Sequence, residues 1–102
     1  MLLRAMPNLQ FEWDPKKAAS NETKHQVTFD EAKTVFFDEN ALVISDPEHS
    51  QDDARFIILG MSSRERALVV VHCFRQQGFT IRIISARKAG TKEQAPYWKN
   101  KQ

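Results

Sequence analysis

Lys24 and His25 stand side by side, and six arginines, Arg55, Arg64, Arg66, Arg75, Arg82 and Arg87, follow in the second half of the chain. An imidazole titrates near neutral pH, so beside an ammonium it can serve as a general acid or base. The planar arginine fork suits two-point contacts with phosphate oxygens. Six arginines against four lysines in this half, several on strand-like stretches, favour a phosphate-binding surface. Plainer readings stay open at this point. Lys24 and His25 can simply face the last carbonyls of a helix. The arginines can cover a solvated sheet face, paired with Asp52, Asp53 and Glu65.

Other chemistries lack their parts. No Gly-x-Ser-x-Gly is present, and three glycines cannot make a phosphate loop. Cys73 stands alone in sequence and reads as a small packing residue. His25, His49 and His72 are far apart, so no zinc motif can be drawn, and neither a metal nor a cofactor is expected. His49 lies in a polar stretch and reads as incidental, and His72 as a core histidine. Metal-independent work on RNA remains possible. There the substrate supplies its own nucleophile, the 2′-OH. The protein adds a base, an acid and cations for the charge developing on phosphorus.

A chain of 102 residues allows one domain, expected over 1–102 with residues 1–8 flexible. Its 41% hydrophobic and 27% charged residues are those of an ordinary globule. No apolar run approaches the ~20 residues that span a bilayer. Met1-Leu2-Leu3-Arg4 is too short for the apolar part of a signal peptide, and Met6 offers a second initiator. One cysteine excludes an internal disulfide and fits a reducing compartment, the cytoplasm. The net charge of +2 conceals an asymmetry. Residues 1–50 hold five basic and nine acidic residues, a balance of −4, whereas residues 51–102 hold ten and four, a balance of +6. Such halves either pair internally or give a basic surface for a polyanion.

Phe11-Glu12-Trp13 reads as a short strand ending at Asp14-Pro15, a helix N-cap followed by a first-turn proline. A surface helix is expected over 15–24. A second starts after Thr28, whose spacing to Glu31 makes a capping box, with Phe29, Ala32, Val35 and Phe36 on one face. Strands are expected over 41–45, 55–59, 66–75 and 79–85. A polar loop should fill 46–53, a turn 61–65, and a short helix 91–97. The order β-α-α-β-β-β-β-α predicts an α+β domain, a small antiparallel sheet flanked by helices. A two-residue turn at Gln76-Gln77 would pair Val71 with Arg82 and Cys73 with Thr80. Alternation then puts Val69, Val71, Cys73, Arg75, Thr80 and Arg82 on one face. Leu68, Val70, His72, Phe74, Phe79, Ile81 and Ile83 form the core face. Tyr97 and Trp98, near Lys99 and Lys101, can stack on a base or cover the sheet.

Phe11-Glu12-Trp13-Asp14, Lys17-Ala18, Asn21 and Lys24-His25 resemble the N-terminal signature of the BrnT toxins. Phe29 and Glu31-Ala32 continue it. Arg55, Gly60, the run Ile81-Arg82-Ile83-Ile84-Ser85-Ala86-Arg87, then Ala89, Glu93 and Tyr97 extend it over about 11–97. Gln26 departs from the pattern, since Gly often follows Lys-His there. The resemblance implies a ribonuclease toxin of a type II toxin–antitoxin system, with a RelE-like fold, inhibiting translation and growth. It implies a BrnA-type antitoxin with a ribbon-helix-helix domain, the complex binding operator DNA through the antitoxin. The residues' own chemistry assigns Lys24 and His25 to proton transfer or charge. Arg55, Arg75 and Arg82 would hold phosphate and stabilise the transition state; Arg87 and Tyr97 would orient substrate. A rival class is a non-catalytic module whose basic face binds an acidic protein or nucleic acid. Expression alone in a bacterial cell separates the two: growth arrest with RNA degradation, or indifference.

Overall fold

The computed structural model describes residues 9–45, 55–75 and 79–102. The expectations for residues 1–8, for the loop over 46–53 with His49, and for the Gln76-Gln77 turn lie outside the described residues. The element order is the expected one: β1 (Gln10–Glu12), α1 (Pro15–His25), α2 (Phe29–Thr34), a 3-10 turn (Val35–Phe37), β2 (Leu42–Ser45), β3 (Arg55–Met61), β4 (Ala67–Arg75), β5 (Thr80–Lys88) and α3 (Ala95–Lys101). No helix among the described residues is long and apolar enough to cross a membrane.

Five strands form one sheet in the order β1-β5-β4-β3-β2. The pairs β2–β3, β3–β4 and β4–β5 are antiparallel, as expected. β1 instead lies parallel to β5, with Phe11 opposite Ile81 and Glu12 opposite Arg82, so the sheet is mixed. Three alternating residues carry no signal for strand direction.

Helix starts follow their caps. Asp14 Oδ1 accepts from the Lys16 N–H at 2.8 Å, and Pro15 fills the first turn of α1. Thr28 Oγ1 accepts from the Glu31 N–H at 3.0 Å. Only this half of the capping box forms. The Glu31 carboxylate turns away to accept from Ser62 Oγ at 2.6 Å and from Arg66 Nε at 2.9 Å. Arg66 also closes a second ion-pair contact on Glu31 and donates to the Gln26 carbonyl at 3.0 Å. The Arg66 guanidinium holds the buried Glu31 carboxyl below its usual range, against the burial that would raise it. One network thus ties the end of α1, α2 and the β3–β4 turn together. α3 begins four residues later than the pattern suggested, because Pro96 belongs to a first helical turn and not to a second half.

Helices cover one face of the sheet. Val27, Phe29, Ala32, Val35, Phe36 and Ala41 pack with Ile58, Leu68, Val70, Ile81, Ile83 and Ala86 in one core cluster. His72 is fully buried on this inner face, ringed by Phe36, Phe56 and Phe74. Gly60 lets β3 press against the helical layer: a Cβ there would sit 2.9 Å from Ala41 Cβ and from Val35 Cγ1.

The β4–β5 register differs from the expected one by two residues. Arg75 pairs with Thr80 and Cys73 with Arg82. A two-residue slip preserves alternation, so the strand faces stand as expected, but Phe74 and Phe79, expected in the core, are exposed, and Thr80, expected on the outer face, is buried. A bulge follows: His72 pairs with Ile83, but Val71 pairs with Ser85. Ile84 is the extra residue, and after it Ala86 faces the core while Arg87 sits opposite Val69 on the outer face.

Candidate active site

The outer sheet face gathers the cations. Arg55 pairs with Cys73, Cys73 with Arg82, and Arg82 with Glu12. These four residues form one row across β3, β4, β5 and β1. Strand spacing puts the Cα atoms of Arg55 and Arg82 about 10 Å apart, within reach of one phosphate for two long side chains. Arg75 is one step along the same face of β4.

Glu12 organises this end. Arg82 Nη1 donates to its Oε2 at 2.7 Å, and Arg75 Nε lies 3.5 Å from the same oxygen. Each side chain is a third or more exposed, so these pairs are weak and exchangeable. Arg55 differs: its Nε is buried and has no acceptor among the described residues. A donor turned in without an acceptor is costly until one arrives.

Lys24 and His25 sit in the last turn of α1. With Lys17, Ser20, Asn21, Ile84 and Ser85 they line an open depression of about 190 Å³. Asn21 positions this wall. Its Nδ2 donates to the carbonyls of Ala86 at 2.8 Å and Val27 at 3.0 Å, while its Oδ1 accepts from the Ala86 N–H at 3.0 Å. A side-chain amide therefore replaces a neighbouring strand where β1 has ended. Ser85 lies three residues beyond Arg82 on β5, so the depression and the arginine row are about 10 Å apart along one strand. Lys24 and His25 thus flank β5 beyond the end of β1, while Arg55, Arg75 and Arg82 lie on the outer face of β3, β4 and β5.

The other two candidates are placed differently. Arg87 is on the outer face, but both its Nη atoms donate to Glu93 at 2.7 Å. Arg87, helped by the Gly90 N–H, pulls the Glu93 carboxyl down to about 2. Tyr97 is buried, at 1% exposure, and its hydroxyl donates to Asp38 Oδ2 at 2.7 Å. Burial, and then Asp38, push this phenol up to about 12. Asp38 also accepts from the Met61 and Asn40 N–H groups, which hold it below its usual range despite burial. Tyr97 therefore anchors α3 from inside. Glu12 and Lys17 join the site without having been singled out for it, although both lie in the N-terminal motif. Only the β1–β5 pairing and the seating of α1 bring them there. Among the described residues no group of three or more His, Cys, Asp or Glu side chains gathers where a metal ion could sit.

Comparison with known proteins gives the family. No curated protein sequence matches the chain. In fold it is similar to the crystal structure of the Brucella abortus ribonuclease toxin BrnT, at 20% identity and a TM-score of 0.64, over 81% of this chain and 99% of that one. The profile of the family described as "Ribonuclease toxin, BrnT, of type II toxin-antitoxin system" matches residues 13–93. With most of its length matched, the chain belongs to the BrnT family of ribonuclease toxins, which act in toxin–antitoxin systems.

Proposed function

We propose that the chain cleaves RNA without a metal ion, at the surface shared by α1 and the arginine row. The row of Arg55 and Arg82, with Arg55 Nε lacking an acceptor among the described residues, supports this most directly. A bound phosphate would give Arg55 its acceptor and displace Glu12 from Arg82 and Arg75. The 2′-OH then attacks the adjacent phosphorus and its proton passes to a base. The P–O5′ bond breaks, the 5′-oxygen takes a proton from an acid, and a 2′,3′-cyclic phosphate remains. His25, beside Lys24, serves proton transfer, and the arginines face the charge on the phosphorane. Arg87 and Tyr97 orient substrate indirectly, by fixing the 87–93 segment and α3. The partner is a BrnA-type antitoxin with a ribbon-helix-helix domain, through which the complex binds operator DNA, and the toxin works in the cytoplasm.

The purified chain should cleave RNA in EDTA, and His25→Ala with Arg82→Ala should lower the rate at least a thousandfold, as loss of an acid–base group and a phosphate contact implies. Cleavage that stops in EDTA would overturn metal independence. Undiminished cleavage by the double variant would overturn the site.

A further inference from the structure

At the opposite end of the sheet from the arginine row, a groove of about 550 Å³ opens between β5, the β3–β4 turn and α3. Met61 and Ala67 line it from the strand ends, with Trp98, Lys88 and Lys101 around them. It is nearly three times the volume of the depression at Lys24 and His25. The Trp98 indole is 43% exposed, yet it is held in place. Its Nε1–H donates to Gln94 Oε1 at 3.1 Å, Tyr97 meets it edge-on at 5.2 Å, and Lys101 Nζ lies 5.5 Å from the ring centroid. α3 itself is fastened by Tyr97 to Asp38 and by Asn100 to the Asn40 carbonyl.

The charges favour one occupant. Arg66 also lines the groove but is engaged by Glu31, which leaves Lys88 and Lys101 against the carboxylate of Glu65. A fixed, exposed indole with Lys101 beside it and Lys88 lining the same groove suits a nucleobase stacked on the ring, with phosphates on the lysines. The groove opens at the sheet end, where Lys88, opposite Leu68, is on the helix side of β5 and Met61 and Ala67 are on the outer side, so a strand of RNA reaches it from the arginine face around that end. On the outer face of β5, Arg82 is followed by Ser85 and then Arg87; beside them β4 runs from Cys73 to Ala67 at the groove. Six residues of strand span about 20 Å, a length that several nucleotides of single strand cover.

We propose that the groove formed by Trp98, Lys88 and Lys101 is a second RNA-binding site. It holds single-stranded RNA several nucleotides from the scissile bond, so the toxin grips a longer segment than it cuts. This rests on the ribonuclease reading above.

The test uses the full chain and a labelled 12-nucleotide 2′-O-methyl oligoribonucleotide, which lacks the attacking hydroxyl. By fluorescence anisotropy, Trp98→Ala should raise Kd about tenfold, the loss expected of one stacked base, and Trp98→Phe should restore most of the affinity. Lys88→Ala with Lys101→Ala should reduce the slope of log K against log salt by about 1.4, two phosphate contacts on a single strand. Binding of a trinucleotide should be the same in all variants. Circular dichroism checks that each is folded. If the 12-mer binds Trp98→Ala and the lysine double variant as tightly as the wild type, while the wild type still cleaves RNA, this proposal alone falls. If the wild type neither binds nor cleaves RNA, the ribonuclease reading falls and takes this one with it. If poly-glutamate quenches Trp98 and RNA does not, the groove is a protein-docking site and the proposal is overturned.

Discussion

Gln26 holds φ 55° and ψ 35°, the left-handed conformation that ends α1. A side chain there costs roughly 1 kcal/mol that glycine avoids. The turn is one that glycine adopts freely, and Gln26 fits it at a cost. Gln26→Gly should stabilise the chain by about 1 kcal/mol, raising Tm by roughly 4–8 °C. A Tm that is unchanged or lower would mean that the Gln26 side chain's bond to the Thr23 carbonyl, 3.2 Å, outweighs the strain. Residue types announced some of this. Asp14, Pro15 and Thr28 act at the helix starts their chemistry suggests. Glu31 was misleading, because a capping box and a buried ion pair need the same residue, and only the distant Arg66 decides between them.

At the scale of elements, the docking of α1 on β5 positions Lys24 and His25. That docking relies on the Asn21 amide satisfying both backbone groups of Ala86. Asn21→Leu keeps the volume but strands a buried N–H and two carbonyls, so it should cost about 3 kcal/mol. Urea unfolding gives the number, and a loss below 1 kcal/mol would show that water reaches this edge. RNA cleavage should fall in parallel as the α1 wall loosens. The strands were legible because alternation survives errors of register. The faces of β4 and β5 follow from parity alone, although the pairing is shifted by two. β1's direction was not legible, nor was the bulge. Nothing in Ile83-Ile84-Ser85 distinguishes the residue that leaves the ladder. The row joining Arg55, Cys73, Arg82 and Glu12 exists only once three successive strands and the distant β1 are in register.

For the molecule as a whole, one face is closed by helices and the other carries the arginines around a strip of aliphatic residues, Ile57, Leu59, Val69 and Val71. The −4 and +6 of the two halves partly cancel across this arrangement, as Glu12 meets Arg82 and Glu31 meets Arg66. The closed face has its own pH dependence. Burial lowers His72 to about 4, with Nδ1 near the Val70 carbonyl at 3.2 Å and Nε2 without a partner among the described residues. The unfolded chain takes up this proton near pH 6.5, and the folded chain only near 4. Stability should therefore be full above about pH 6.5 and fall as pH drops toward 4, by about 3 kcal/mol in all. His72→Phe should flatten that window, as followed by urea midpoints from pH 7 to 4.5. A variant as steep as the wild type would place the titration elsewhere. The bulge at Ile84 sets a further condition on the molecule. Arg82 and Arg87 are five positions apart, an odd interval that in an unbroken ladder would point them to opposite sides. The extra residue therefore acts as a half-turn of phase. Deleting Ile84 would leave strand composition nearly intact, yet exchange interior for exterior from Ser85 onward, pushing Arg87 toward the core and Ala86 into water. Here the chain's chemistry is encoded as a count of residues, and a change of length by one is more damaging than most changes of side chain.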